Sequence, residues 1–338
     1  MKTTLPIPEQ DGFQVWLPSQ VRFAPGVLAT PTPEGFRLER DATCVAVATS
    51  RAAADSLLRK LRESGTGLGT AGLALPWRQL LEKLAVNGML TDPGHAADPD
   101  CDSVSALDAI AAIRDTIYRA SLESFATGSA FEMLLSGALD PAAGVPWLVE
   151  NYHYTKSASY HIGPVFTHQL APPEHELWRR FLKDESWHWR IYRPAFHQFN
   201  LSFEFLDTLE PHPATSDFIE TLHSVSCDGP VAYAAAMTYI EQPPQCTTLD
   251  EDPLFTALIR FYGFDRAAVR PLWWHATENL TAGHSALGPV VISNRRTVAR
   301  AELDRALSGV RRTIRAVSAW HEAILAQYVP AGAVHVAS

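Results

Sequence analysis

The stretch Trp273–Leu287, WWHATENLTAGHSAL, sets His275, Glu278 and His284 within ten residues of one another. Neutral imidazole and carboxylate are the usual protein ligands of non-haem iron. On a helix, His275 and Glu278 share a face because they are three residues apart. His284 lies nine residues from His275, which on an unbroken helix points it roughly the opposite way. Gly283, directly before it, is the residue able to bend or end the helix and bring the second imidazole back. A core histidine, a cap and a surface histidine account for the same three residues equally well.

Two further segments bear on that balance. Phe181–Trp189, FLKDESWHW, contains Glu185 and His188 as a Glu-x-x-His pair on a half-apolar helical run. Gly229–Glu241, GPVAYAAAMTYIE, reads as a small-residue helix with one carboxylate, Glu241, at its end. Three helices that each project one or two oxygen or nitrogen donors inward are what a carboxylate-bridged two-iron site in a helical bundle requires.

The order Glu-x-x-His, then a lone Glu after a small-residue helix, then His-x-x-Glu-Asn-x-x-x-Gly-His resembles the haem-oxygenase-like diiron oxidases and oxygenases, relatives of the TenA and PqqC folds. The gaps resemble the family as well: 56 residues from Glu185 to Glu241, and 34 from Glu241 to His275. The likeness runs from about Val104 to Val329. It implies a mainly α, haem-oxygenase-like bundle that holds two Fe(II) ions and uses O2 as co-substrate. Its ligands would be Glu185, His188, Glu241, His275, Glu278 and His284. Many members carry His-x-x-x-Asp-x-x-His on the last ligand helix. Asn279 and Ala282 stand at the corresponding positions here, so Glu278 and His284 are assigned on a variant spacing.

The elements that must position these residues follow from the rest of the chain. Its 338 residues are enough for two domains, and 46% hydrophobic with 19% charged residues is ordinary for a globular protein. A formal net charge of −9 supplies no basic field for phosphates and argues against nucleic acid as a partner. No apolar run is long enough to span a bilayer, and MKTTLPIPEQDGF lacks a signal-peptide apolar core. Cys44, Cys101, Cys227 and Cys246 show no CxxC spacing, which fits a reducing cytoplasm and offers neither a zinc site nor a disulfide framework.

Residues 13–92 read as a unit of their own. FQVWL, GFRLE and CVAVAT have strand lengths and are separated by Pro and Gly. SRAAADSLLRKLRES reads as a helix capped by Ser50, and LPWRQLLEKLAVNGML as another that ends at Gly88. Small strands, two helices and a terminal wing resemble a winged helix, in particular the PqqD-like domains that grip leader peptides. That resemblance implies a peptide partner with a leader segment. A DNA-binding winged helix or a plain interaction module has the same pattern; DNA is disfavoured because LRKLRESGTGLG supplies only a few cations and the presumed second helix is mixed in charge. The expected division is a recognition domain over 1–92, a linker over 93–103 rich in Asp, Pro and Gly, the bundle over 104–330 and a tail over 331–338.

Beyond Val104 strand signals nearly vanish and apolar residues recur at three- and four-residue steps. PWLVENYHYTKSASYHIGPVFTHQL carries Glu150, His153, Tyr154, His161 and His168. Glu150 and His153 form a rival Glu-x-x-His. Glu150, His153, Tyr154 and His161 are expected to line a substrate cavity, although simple packing serves His161 and His168 better. A third such pair, Glu220 and His223, has no counterpart in the family pattern and is expected at the surface or behind the ligands. Trp187, Trp189, Trp273 and Trp274 are expected to shut water out.

The resulting expectation is an O2-activating diiron enzyme acting on a residue of a ribosomally made peptide in natural-product biosynthesis. The chain is compatible with a homodimer. A metal-free PqqC- or TenA-like enzyme acting on a small molecule is the alternative within the fold, and a winged-helix ligand-sensing regulator is the alternative outside it.

Overall fold

The computed structural model describes residues 15–41, 43–62, 67–95, 102–125, 128–242, 246, 248–281 and 284–331. Side chains at 51, 278–281, 284 and 285 lie outside that description. In chain order come β1 (Gln20–Phe23), β2 (Leu28–Thr32), β3 (Gly35–Arg40), β4 (Thr43–Ala48), α1 (Arg51–Arg62), β5 (Leu68–Gly69), α2 (Leu75–Val86), β6 (Leu90–Thr91) and β7 (Ser103–Ser105). Helices follow: α3 (Ala106–Ser124), α4 (Ala130–Ser136), α5 (Gly144–Lys156), α6 (Ala158–Ile162), α7 (Pro172–His188), α8 (Arg193–Gln198) and α9 (Phe203–Leu206). The chain closes with α10 (Pro213–Cys227), α11 (Pro230–Ile240), α12 (Pro253–Phe261), α13 (Arg266–Thr281), α14 (His284–Asn294), β8 (Thr297–Ala299) and α15 (Arg300–Leu325). The protein is mainly α with a small N-terminal sheet region, as expected. Among the described residues no helix is long and apolar enough to cross a membrane.

Two compact units divide the chain: Met1–Tyr118 with Val231–Gln242 and Leu280–Val310, and Arg119–Pro230 with Pro243–Asn279 and Arg311–Ser338.

In the first unit β1 pairs antiparallel with both β5 and β6, while β2, β3 and β4 form a separate antiparallel meander. GFRLE and CVAVAT are β3 and β4, but the expected strand FQVWL is not one where it is described. Val15–Leu17 is irregular, and the strand begins after Pro18, which has no N–H to give a ladder. Leu28–Thr32 was hidden by its own proline, Pro31, tolerated because β2 is an outer strand.

Helix α2 ends as its sequence requires. Gly88 takes φ +67°, the Gly88 N–H bonds the Ala85 carbonyl at 2.9 Å, and the Met89 N–H bonds that of Leu84 at 2.9 Å. This paired capping satisfies carbonyls that the helix itself leaves open, and a left-handed residue at that position favours glycine. Helix α11 is apolar on every side, and Val231–Thr238 is buried throughout. Its small residues let α14 approach so closely that a Cβ at Gly288 would overlap the Ala234 carbonyl and Thr238 Oγ1. Short β7 and β8 pair antiparallel, and the Arg300 N–H donates to the Asp102 carbonyl.

In the second unit α5, α6, α7 and α10 pack on one another around buried Trp178, Tyr152, Phe196 and Phe218. Pro172 and Pro173 open α7, where missing N–H groups cost nothing. Its buried face is Glu174, Leu177, Trp178, Phe181 and Glu185, a three- and four-residue stripe. That periodicity, and not any local preference of glutamate, carries Glu185 into the interior.

Candidate functional site

Glu185 is only 8% exposed, one turn past Phe181 on the inward stripe of α7. His188, the last residue of α7, stands three residues on and so over the same face. Its Nδ1 lies 2.9 Å from Glu185 Oε2. From α13 comes His275, half-buried, with its ring centroid 4.1 Å from that of His188 and the planes at 57°. His188 thus touches a carboxylate on its own helix and a second imidazole from α13. Burying a carboxylate is costly unless a cation accompanies it, whether a proton on a neighbouring imidazole or a metal ion.

Around this trio stand groups from the neighbouring helices. His161 of α6 is 3% exposed and lies parallel to the Tyr154 ring at 5.8 Å. Burial drives its pKa down to about 4, partly opposed by the nearby Glu185 charge and reinforced by His223. Tyr192 is pushed up to about 12, by burial first and then by the Glu185 charge, and its hydroxyl lies 3.1 Å from Thr155 Oγ1. Its place was legible: it follows Glu185 and His188 at seven and four residues, continuing their face into the turn after α7.

The remaining expected residues fall as follows. Glu150 Oε2 accepts from the His212 N–H at 3.0 Å and from the Thr215 hydroxyl at 2.6 Å, so the carboxylate fastens α5 to the start of α10. His153 Nε2 is buried without a hydrogen-bond partner among the described residues, and burial lowers its pKa. Tyr154 also packs on Phe218 and Trp320, at 4.9 and 6.2 Å. Glu220 is exposed and accepts the Tyr160 hydroxyl at 2.8 Å. Glu241 belongs to the first unit, where it is 6% exposed and its N–H continues the α11 ladder to Met237 at 2.9 Å. The backbone of Glu278 lies in α13 and His284 opens α14, but both side chains lie outside the described residues, as do Ala282 and Gly283. Among the described residues no group of three or more His, Cys, Asp or Glu is arranged to hold a metal ion.

The expected tryptophan shell is corrected in part. Trp273 is buried at 7% exposed, whereas Trp187 and Trp274 are each 51% exposed and lie beneath the Arg190 and Arg270 guanidinium groups, 3.8 and 4.4 Å from the ring centroids. Trp187 directly follows Ser186 and precedes His188. One residue along a helix turns the side chain by about 100°, which takes it off the inward face.

No family model matches the chain, and no curated protein matches it. Among solved structures the chain is similar to a domain of unknown function with a haem-oxygenase-like fold from Shewanella denitrificans OS217. It is 15% identical with a TM-score of 0.54, over 64% of this chain and 92% of that one. At that identity the likeness concerns architecture, and the architecture of this chain is haem-oxygenase-like.

Proposed function

We propose that this chain is a non-haem iron enzyme that activates O2, with two Fe(II) ions as its metal complement. The observation that carries the reading is the contact of His188 with both Glu185 and His275 in the second unit. The donor types suit iron, since a hard carboxylate oxygen and imidazole nitrogens match its preferences. Glu241, Glu278 and His284 enter the proposal through their order in the sequence. When bound, the iron supplies the electrons that make O2 an oxidant able to take hydrogen, hydroxylate, or break a C–C or C–N bond.

The chain's own residues have separable parts in this scheme. Phe181 and Trp178, on the stripe below Glu185, keep water from its inner side. His161, held neutral by burial, can accept a hydrogen bond at one ring nitrogen and donate one at the other without adding a positive charge. Tyr192 keeps its proton at any physiological pH and so can donate a hydrogen bond. The substrate part of the reading is a ribosomally made peptide whose leader segment is held by residues 1–92. Of the outer strands in the β2–β3–β4 sheet, β4 suits strand addition better, because Pro31 in β2 has no N–H to offer.

Anaerobic titration with Fe(II) tests the metal. Binding close to two equivalents, followed by O2 uptake that is lost in His188→Ala and His275→Ala, is the expected result. Protein that takes up no iron yet turns over O2 or a small-molecule substrate would favour the metal-free alternative.

A further inference from the structure

The Glu220–His223 pair, which the proposed iron site does not use, leads to a second group on the outer face of α10. His223 and Cys227 are four residues apart and therefore one above the other on the helix. Cys227 is an exposed free thiol, and its Sγ lies 3.8 Å from His223 Nδ1. For a tetrahedral zinc with bonds of about 2.3 Å to sulfur and about 2.0 Å to nitrogen, the two donor atoms stand about 3.5 Å apart. The pair is therefore already spaced as two ligands of one ion.

Its surroundings hold it there. Tyr160 of α6 lies face-on against the His223 ring at 4.4 Å and 17°. The Tyr160 hydroxyl is in turn fixed by donating to Glu220 Oε1 at 2.8 Å. At the other end, Arg312 bonds Asp228 and donates to Ser224 Oγ at 3.2 Å, pinning the last turn of α10 on which Cys227 sits. A ligand pair whose ring orientation and backbone are both set by neighbours loses little entropy on binding.

We propose that Cys227 and His223 form a metal site separate from Glu185, His188 and His275, and that it takes a thiophilic divalent cation, zinc foremost. One thiolate and one imidazole select zinc, cobalt or copper over magnesium, calcium or manganese. Binding exchanges the Cys227 thiol proton for the ion and releases that proton to solvent, leaving the remaining coordination positions to water.

Cobalt(II) is the probe, because a thiolate ligand gives it a near-ultraviolet charge-transfer band that oxygen and nitrogen ligands do not. The wild-type protein is expected to develop this band to saturation at about one equivalent and to lose it when zinc is added. Cys227→Ser should abolish it. Tyr160→Ala, which leaves both ligands but frees the ring, should weaken cobalt binding by about 10-fold. His275→Ala should leave the band intact, and Cys227→Ser should leave iron uptake intact, so the two sites fail independently. No band in the wild type, a band that survives Cys227→Ser, or undiminished binding in His223→Ala overturns the proposal.

Discussion

Substituting the buried histidine of the closing helix should remove a defined part of the protein's acid lability. His321 is 7% exposed and stacks between Phe131 at 4.3 Å and Trp320 at 4.7 Å, with Trp147 at 6.4 Å. Among the described residues its Nδ1 has no hydrogen-bond partner, and burial drives its pKa down to about 3. A folded pKa below the unfolded one means that the unfolded chain takes up the proton first. The stability tied to neutral His321 is therefore complete above pH 6.5, falls as the pH drops through the unfolded value, and stops falling near the folded value. At pH 5 the unfolded imidazole is about 1.5 pH units below its pKa while the folded one is still neutral, so the loss relative to pH 7 is about 2 kcal/mol. His321→Leu, close in volume and without the orphan nitrogen, should not show that component. Urea unfolding followed by tryptophan fluorescence at pH 7 and pH 5 reads the difference. Wild type should lose about 2 kcal/mol more than the variant over that interval. Equal losses in the two proteins would refute the reasoning.

Gly288→Ala places a methyl group against the Ala234 carbonyl and Thr238 Oγ1, and should destabilise the first unit by about 1–3 kcal/mol in thermal or urea unfolding. Glu150→Ala strips the acceptor from the His212 N–H and the Thr215 hydroxyl and should cost about 2–3 kcal/mol, while Glu150→Gln should cost less than about 1. Iron uptake should be unchanged in both Glu150 variants; a loss in the glutamine variant would make the Glu150–His153 pair a ligand set after all.

How far the sequence carried depended on the range of the interaction that fixed each residue. Local rules placed α7 well. The two prolines mark its start, and the spacing of Leu177, Trp178, Phe181 and Glu185 shows which face turns inward. Gly88 announced the end of α2 for an equally local reason, the positive φ its capping needs. The strand before Gln20 was set too early, because a proline can decide where a ladder begins whatever the apolar pattern around it. Glu150 and His153 formed a rival Glu-x-x-His pair and were expected to line a substrate cavity. The actual partners of Glu150, His212 and Thr215, are more than sixty residues away, and no pattern within α5 could disclose them. Spacing likewise put His188 at the end of one helix and His275 on another, but their ring contact is a product of packing. Trp187 and Trp274 were misread because composition says how many aromatic rings a segment holds and only helical phase says which way each points.

The central claim is that Glu185, His188 and His275 bind iron, and anomalous diffraction at the iron absorption edge from anaerobically loaded crystals tests it most directly. The account predicts an anomalous peak about 2–2.3 Å from a Glu185 carboxylate oxygen and from ring nitrogens of His188 and His275. Iron found elsewhere, or an iron-free trio in protein that has turned over O2, would contradict it.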